Sequence, residues 1–540
     1  MGRFVNPDSS AFQVALNSKI YVDKTGLISY TNNVLDTINA YICNSRPRRF
    51  GKSYAANMLA AYYSKGADSE KMFSGLAISR CIDFKKHLNQ YDVIHIDIQW
   101  FLANCNDANK VVAFITKSVL DELRDLYPEI LTQETGTIPD ALSQVKERTG
   151  QKFVVIIDEW DVIIRDGSMT EAIQDEYLNF LRGMFKGVEP TKYIQLAYLT
   201  GILPIKKEKT QSAVNNLDEF TMLQADELAP YIGFTEEEVK ELCGEYGRDF
   251  DKVKKWYDGY LFGKSEVYNP WSVLNQTKEW FDDKDILAMP WWANTSSNNI
   301  IRTLIGQADD ETKGIIENLI HGGSVETVLK ETVTYGDLTE NNENIWSFLF
   351  FTGYLKIKEI VKTGELTGEP TIYSLVIPNL EIKSCYTDII IQYFEIYKKA
   401  INKDNLYKAL LGRNAQDFAE QITDLLRKTI SYYDSTESFY HGLISGLLSG
   451  NVYYKVESNR ETGDGRSDLV LYQQDVAQNA VILEFKVCGK NETADDAAKR
   501  ALKQINDRDY ASKAREDGYK NIIKYGVAFK GKMCYAIVES

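Results

Sequence analysis

The sequence predicts an α/β protein in three parts: an N-terminal phosphate-loop sheet, a mainly helical middle region and a C-terminal α/β/α core. Three observations carry that expectation. A short apolar strand leads through a basic loop into Gly51-Lys52-Ser53 and a helix. A second apolar strand ends in Asp158-Glu159. Near the C-terminus, Asp468 and the run Glu484-Phe485-Lys486 lie on neighbouring strand-like segments. Strands alternating with helices imply a sheet with crossover helices.

Along the chain, Ala40 to Cys43 reads as the first strand and Lys52 to Tyr63 as the helix after the loop. Val93 to Trp100 alternates with period two, as a strand does. Phe153 to Ile157 is a continuous apolar run suited to a central parallel strand, and Tyr193 to Leu199 is a further strand. From residue 225 to 404 the pattern turns mainly helical and aromatic, with Trp256, Trp271, Trp280, Trp291 and Trp292, and suggests a lid or adaptor. The last part, 405–540, opens with helices over Tyr407 to Leu448. Strands follow at Val452 to Val456, Asp468 to Tyr472 and Ala480 to Val487. A charged helix over Thr493 to Asp517 precedes strands at Ile523 to Phe529 and Met533 to Val538. The domain boundaries expected are therefore 1–224, 225–404 and 405–540.

Bulk properties narrow the function classes. At 540 residues the chain exceeds what one core sustains. No apolar run approaches the ~18 residues of a membrane span, and residues 1–10 lack a basic-then-apolar leader, so a cytoplasmic address without membrane association is expected. Seven scattered cysteines form no CxxC pair, and with four histidines a zinc site is disfavoured. Any metal should be a hard cation on carboxylates, such as magnesium. The net charge of −15 opposes attraction of nucleic acid to the whole surface but permits a local basic groove.

The residue types of the loop fit phosphate chemistry. A loop entering a helix N-terminus aims backbone N–H groups at an anion. In Arg48-Arg49-Phe50-Gly51-Lys52-Ser53, Gly51 allows close backbone approach, Lys52 reaches the β- and γ-phosphates of ATP, and the Ser53 hydroxyl can ligate Mg²⁺. Arg46 stands where such loops begin with glycine, and alone the fragment equally fits a basic turn capping a helix. The strand ending in Asp158 changes that balance. Asp158 lies at the carboxyl end of a strand, where open α/β sheets bind ligands, and would hold Mg²⁺. Glu159 would orient or deprotonate the attacking water, and Thr200, at the tip of another strand, would sense the γ-phosphate.

At the C-terminal end, residues i and i+2 of a strand share a face, so Glu484 and Lys486 project together while Phe485 points to the core. Asp468 from the adjacent strand makes a second acid. Two acids suit a hard cation, and a neighbouring lysine can position water or stabilise negative charge, as phosphodiester hydrolysis requires. A charged Glu484 within the apolar run Ala480 to Phe485 needs a partner. The polar stretch from Glu457 to Arg466 reads as a flexible loop beside this site. Lys499, Arg500, Lys503, Arg508, Lys513 and Arg515 form a basic cluster fit for phosphate backbones, unless the acids among them make it a solvated helix face.

Taken together and in order, these motifs resemble a bacterial family of AAA-ATPase-like proteins with a C-terminal PD-(D/E)xK nuclease-superfamily domain. Tyr21 to Thr25 is similar to the family's opening motif, and Arg46 to Ser53 to its phosphate loop, so the missing glycine is a family trait. Similar stretches begin at Ile157, Thr200, Asn215, Trp256, Tyr268, Phe351, Ile377, Phe439, Ser458 and Glu484. Trp160 stands where tyrosine is common, and Ser467 where an aromatic usually precedes the aspartate. The resemblance implies an ASCE-type P-loop fold followed by a restriction-endonuclease-like core. It implies ATP and Mg²⁺ as cofactors, with Asp468, Glu484 and Lys486 catalytic, and Glu437 or His441 completing the site, with Gln504 nearby. Two separate phosphate-chemistry sites in one chain point to an ATP-controlled nuclease acting on nucleic acid, DNA ahead of RNA, with self-association into a homo-oligomer open. A regulatory NTPase whose last domain binds without cutting is the alternative, and a non-hydrolysing scaffold the third.

Overall fold

A computed structural model describes residues 2–205, 216–282, 288–292, 304, 309–320, 322–331, 344–363, 368–386, 403–429, 437–448, 454–462, 465–473, 479–489 and 492–539. The chain divides into two compact units, one of residues 1–296 and 325–385, the other of 297–324 and 386–540. The segment 225–404 is thus shared between the units.

The first unit is built on five parallel strands: β1 Tyr41–Ser45, β2 Asp92–Asp97, β3 Phe153–Asp158, β4 Ile194–Gly201 and β5 Asp218–Phe220. Their order across the sheet is β2-β3-β4-β1-β5. β3 is buried at every position, as a parallel strand covered on both faces must be. Tyr41, Cys43, Ile94, Ile96, Val155, Ile157, Ala197 and Leu199 belong to one core cluster with the helices Val111–Leu126, Ile138–Thr149 and Glu171–Phe185. The Lys52–Tyr63 helix packs against β3 and β4, and nine of its residues are buried. The strand expected from Val93 to Trp100 ends at Asp97, because the Asp97 carboxylate accepts from Trp100 N at 3.0 Å and caps a helix over Ile98–Asn104.

Among the described residues of 225–385, helices are interleaved with two small antiparallel sheets. One is β6 Phe234–Thr235, β7 Tyr260–Phe262 and β8 Ser265–Tyr268, in the order β6-β8-β7. The other is β9 Val325–Val328, β10 Lys356–Lys362 and β11 Ile372–Val376, in the order β10-β11-β9.

The second unit carries a mixed sheet in simple sequence order: β12 Tyr454–Thr462, β13 Gly465–Gln473, β14 Asn479–Val487, β15 Asn521–Lys530 and β16 Met533–Val538. Only β14 and β15 are parallel, joined through the Ala494–Asp507 helix. Along β14, Val481, Leu483 and Phe485 enter the core under the helices Lys403–Leu411, Ala415–Thr429 and Glu437–Leu448. Ala480 and Ile482 enter a second cluster with Ile505 and Ala514. The polar stretch from Glu457 is not a loop: it continues β12 and pairs with β13, leaving only 463–464, which lie outside the described residues with 451–453. The long charged helix is two, Ala494–Asp507 and Ser512–Glu516, with Asp509 between them at φ 44°.

Candidate functional site

The carboxyl edge of the first sheet gathers polar side chains from four strands. In parallel strands, residues in register share a face. Asp97 of β2 is in register with Asp158 of β3, and Asn44 of β1 with Thr200 of β4. The Thr200 hydroxyl donates to Asp158 Oδ1, which also accepts from Glu159 N at 3.1 Å. Asp97, Asp158, Thr200 and Asn44 therefore form one row across the sheet.

Above this edge the loop turns back into the Lys52–Tyr63 helix. Gly51 takes φ 92° and ψ 17°, and nothing lies within 4 Å of where a Cβ would stand, so the loop is left open to an approaching group. Lys52 is buried, and its Nζ donates to the carbonyls of Arg46 (3.1 Å) and Pro47 (3.0 Å). Burial pulls its pKa down, while Glu159, Asp161 and Asp158 counteract this. Ser53 is exposed in the first helical turn. Arg48 is half-buried and within electrostatic reach of Glu159. Arg49, at φ 69°, places its guanidinium 4.4 Å over the Trp271 ring. Phe50 differs from its expected role beside a cofactor. Its ring is buried against Tyr260 (5.1 Å) and Phe262 (5.4 Å), so only its backbone remains for a ligand. Arg46 is wholly buried, donating to the carbonyls of Ser45 and Phe220, both at 2.9 Å, with its guanidinium 4.7 Å over Phe262. In place of glycine it ties the loop to β5 and β7.

Glu159 lies just past β3 in the left-handed region, φ 55°. Burial favours its neutral form, but Lys52, Arg165 and Arg48 together hold its pKa below the usual range. Burial raises Asp97, helped by Asp158 and Glu159.

In the second unit, Asp468 lies one step beyond the Leu469–Leu483 pair, opposite Glu484. Asp468 Oδ2 accepts from Phe485 N at 2.8 Å, and Lys486 Nζ donates to Glu484 Oε1 at 3.1 Å and to the Phe485 carbonyl at 2.8 Å. Glu484 is 1% exposed, and burial, reinforced by Asp468, pushes it up to about 7. His441 Nε2 lies 2.7 Å from the Asp468 carbonyl oxygen. The Gln504 amide donates to the Tyr510 hydroxyl at 3.1 Å. The side chain of Glu437 lies outside the described residues.

Residues 10–210 match the family model described as Predicted AAA-ATPase, and residues 435–539 match that of the PD-(D/E)XK nuclease superfamily. The chain thus carries an AAA-ATPase-like domain followed by a PD-(D/E)XK nuclease-superfamily domain. A protein of Azotobacter chroococcum mcd 1, "Uncharacterized protein in vnfD 5'region", is 24% identical over 510 residues, covering 92% of this chain and 90% of that protein. The Walker-type ATPase PABY2304 of Pyrococcus abyssi has a TM-score of 0.35 at 12% identity, over 67% of this chain and 94% of that one. The ORC2 protein of Aeropyrum pernix has 0.32 at 11%, over 71% and 98%.

Two residues of the AAA-ATPase-like domain, Asp97 and Arg165, escape sequence reasoning. Asp97 is foreshadowed by the alternation of His95 and Asp97 in an otherwise apolar strand. Nothing in the sequence pairs Arg165 with Glu159. In the PD-(D/E)XK domain, the basic cluster is largely a solvated helix face. Lys499 pairs with Asp495, Arg500 with Glu492, Lys513 with Asp517 and Arg515 with Asp509. No helix among the described residues is long and apolar enough to cross a membrane.

Proposed function

We propose that the AAA-ATPase-like domain binds and hydrolyses ATP with Mg²⁺ and that the PD-(D/E)XK domain cleaves phosphodiester bonds, in DNA before RNA, under ATP control. One observation carries this reading: each unit holds its own acids beside a buried lysine, Asp158 with Lys52 and Asp468–Glu484 with Lys486. Hydroxyl and carboxylate oxygens fit a hard cation in both places. In the first site Ser53 and Asp158 would hold Mg²⁺, Lys52 the β- and γ-phosphates, and the backbone N–H groups of Arg48 to Ser53 would cradle them. Glu159 would orient water, with Thr200 reporting on the terminal phosphate. In the second, Asp468 and Glu484 would hold the cation and Lys486 would steady the water or the developing charge. Among the described residues no three His, Cys, Asp or Glu converge on one point, so water and phosphate oxygens would complete the shell. When bound, the cation supplies charge neutralisation and a more acidic water.

Plasmid and single-stranded DNA incubated with Mg²⁺ and ATP, alongside Glu484→Ala and Lys52→Ala, test this. Cleavage lost in Glu484→Ala and uncoupled from ATP in Lys52→Ala is expected. Cleavage that persists in Glu484→Ala overturns the nuclease assignment. A regulatory NTPase that binds without cutting is favoured by the ion-paired state of the basic helix. ATP turnover with no nucleolysis under Mg²⁺ or Mn²⁺ would establish it.

A further inference from the structure

Glu159 is an acid committed to a partner. Its carboxylate is ion-paired with Arg165, which follows it in the short Val162–Arg165 helix. The same guanidinium donates from Nη1 to Asp161 Oδ1 at 3.1 Å. Arg165 is 9% exposed and Asp161 2%, so their bond lies away from solvent screening, whereas Glu159, at 21%, keeps an open side. The other carboxylate oxygen of Asp161 accepts from Ile202 N at 3.0 Å and Leu203 N at 3.3 Å. Those two residues directly follow Thr200-Gly201 at the tip of β4. An unbroken chain of polar contacts therefore runs from the β4 tip through Asp161 and Arg165 to Glu159.

We infer that Arg165 is a positioning residue that holds Glu159 back from the attacking water until movement of the β4 tip loosens it. The inference rests on the ATPase reading of this site. A carboxylate bound to a buried guanidinium has its lone pairs engaged, which is the wrong state for orienting a water. Two carboxylates share one cation, so a stronger hold on Asp161 means a weaker one on Glu159. Displacement of Ile202 and Leu203, when Thr200 changes its partner from Asp158 to a phosphate, acts first on Asp161. The left-handed backbone of Glu159 is a conformation that persists only where surrounding contacts impose it, and Arg165 supplies such a contact. The other charged groups facing Glu159 are Lys52 on its helix, Arg48 on the loop, and Asp158 and Asp97 on β3 and β2. Of these cations, Lys52 is already engaged with loop carbonyls.

The test uses the full chain with Arg165→Gln and Arg165→Lys, and Lys52→Ala as the background control. ATP affinity is read by equilibrium binding, and kcat and KM at neutral pH. In Arg165→Gln, kcat at neutral pH should rise by about threefold or more while KM stays within about twofold, since only the ground-state restraint is removed. Arg165→Lys, which keeps the charge but one arm fewer, should fall between. A kcat that drops with ATP binding intact overturns the restraint and makes Arg165 part of the hydrolytic machinery. An active wild type whose kcat is unmoved by the substitution refutes the restraint alone. If wild type binds ATP without turnover and Arg165→Gln hydrolyses it, the restraint is supported. If neither hydrolyses it, the restraint and the hydrolytic reading fail together. Should Arg165→Gln not fold, Arg165→Lys against wild type carries the same comparison.

Discussion

Replacing Glu381 by glutamine should stabilise the protein at alkaline pH and leave it unchanged in acid. Glu381 is 1% exposed, and its Oε1 accepts from Trp292 N at 2.9 Å. Trp292 stacks on Tyr354 at 5.4 Å, and a Cβ on the neighbouring Gly353 would meet the Trp292 ring at 2.7 Å and Pro47 of the phosphate loop at 3.0 Å. The carboxyl thus braces the wall behind the loop. Burial raises its pKa from 4.5 to about 7, only partly offset by the Trp292 N–H. Between those values the folded chain keeps a proton that the unfolded chain has released, so stability falls as pH rises from 4.5 to 7 and then levels off. At about 1.4 kcal/mol per unit, the full loss is about 3 kcal/mol. Glutamine retains the acceptor for Trp292 N and removes the titration. Urea unfolding of both proteins at pH 4 and pH 8 should show near-equal stability at the lower pH and a gap approaching about 3 kcal/mol at the higher. Parallel pH dependence of the two proteins would refute a neutral buried carboxyl at this position.

Gly201→Ala would bring a Cβ to 2.3 Å from Trp160 Nε1 and 2.6 Å from its Cδ1, and overpacking of this kind costs about 1–3 kcal/mol, read as a lower melting temperature. An unchanged melt would mean that the Trp160 ring gives way freely. Lys52→Ala should weaken binding of a fluorescent ATP analogue by about tenfold or more, as loss of a charge-assisted contact requires, and undiminished binding would place the nucleotide elsewhere. Glu484, pushed up to about 7, must lose its proton to hold a cation. Mn²⁺ titrated calorimetrically in buffers of different ionisation heat should therefore bind more tightly at pH 8 than at pH 6 and release protons at the lower pH, with Glu484→Gln abolishing the release. Binding without proton release would separate Glu484 from the cation.

What was legible in the sequence is what depends on neighbours along the chain. The i, i+2 spacing of Glu484 and Lys486 within a strand put them on one face, and the run Phe153 to Asp158 placed an acid at a strand's end. The Lys52–Tyr63 helix is readable because an apolar, alanine-rich segment follows Gly-Lys-Ser directly. Tertiary structure alone decided which strands lie side by side and which cation reaches which acid. The register that brings Asp97 against Asp158 joins residues far apart in sequence. Phe50, in the middle of a basic loop, is drawn inward by Tyr260 and Phe262 from a distant small sheet. Arg165, unremarkable by composition, becomes the partner of both Glu159 and Asp161 because the backbone turns sharply at Glu159. Periodicity fixes the direction of a side chain relative to its own element, whereas charge pairing and burial depend on the packing of elements brought together by the whole fold.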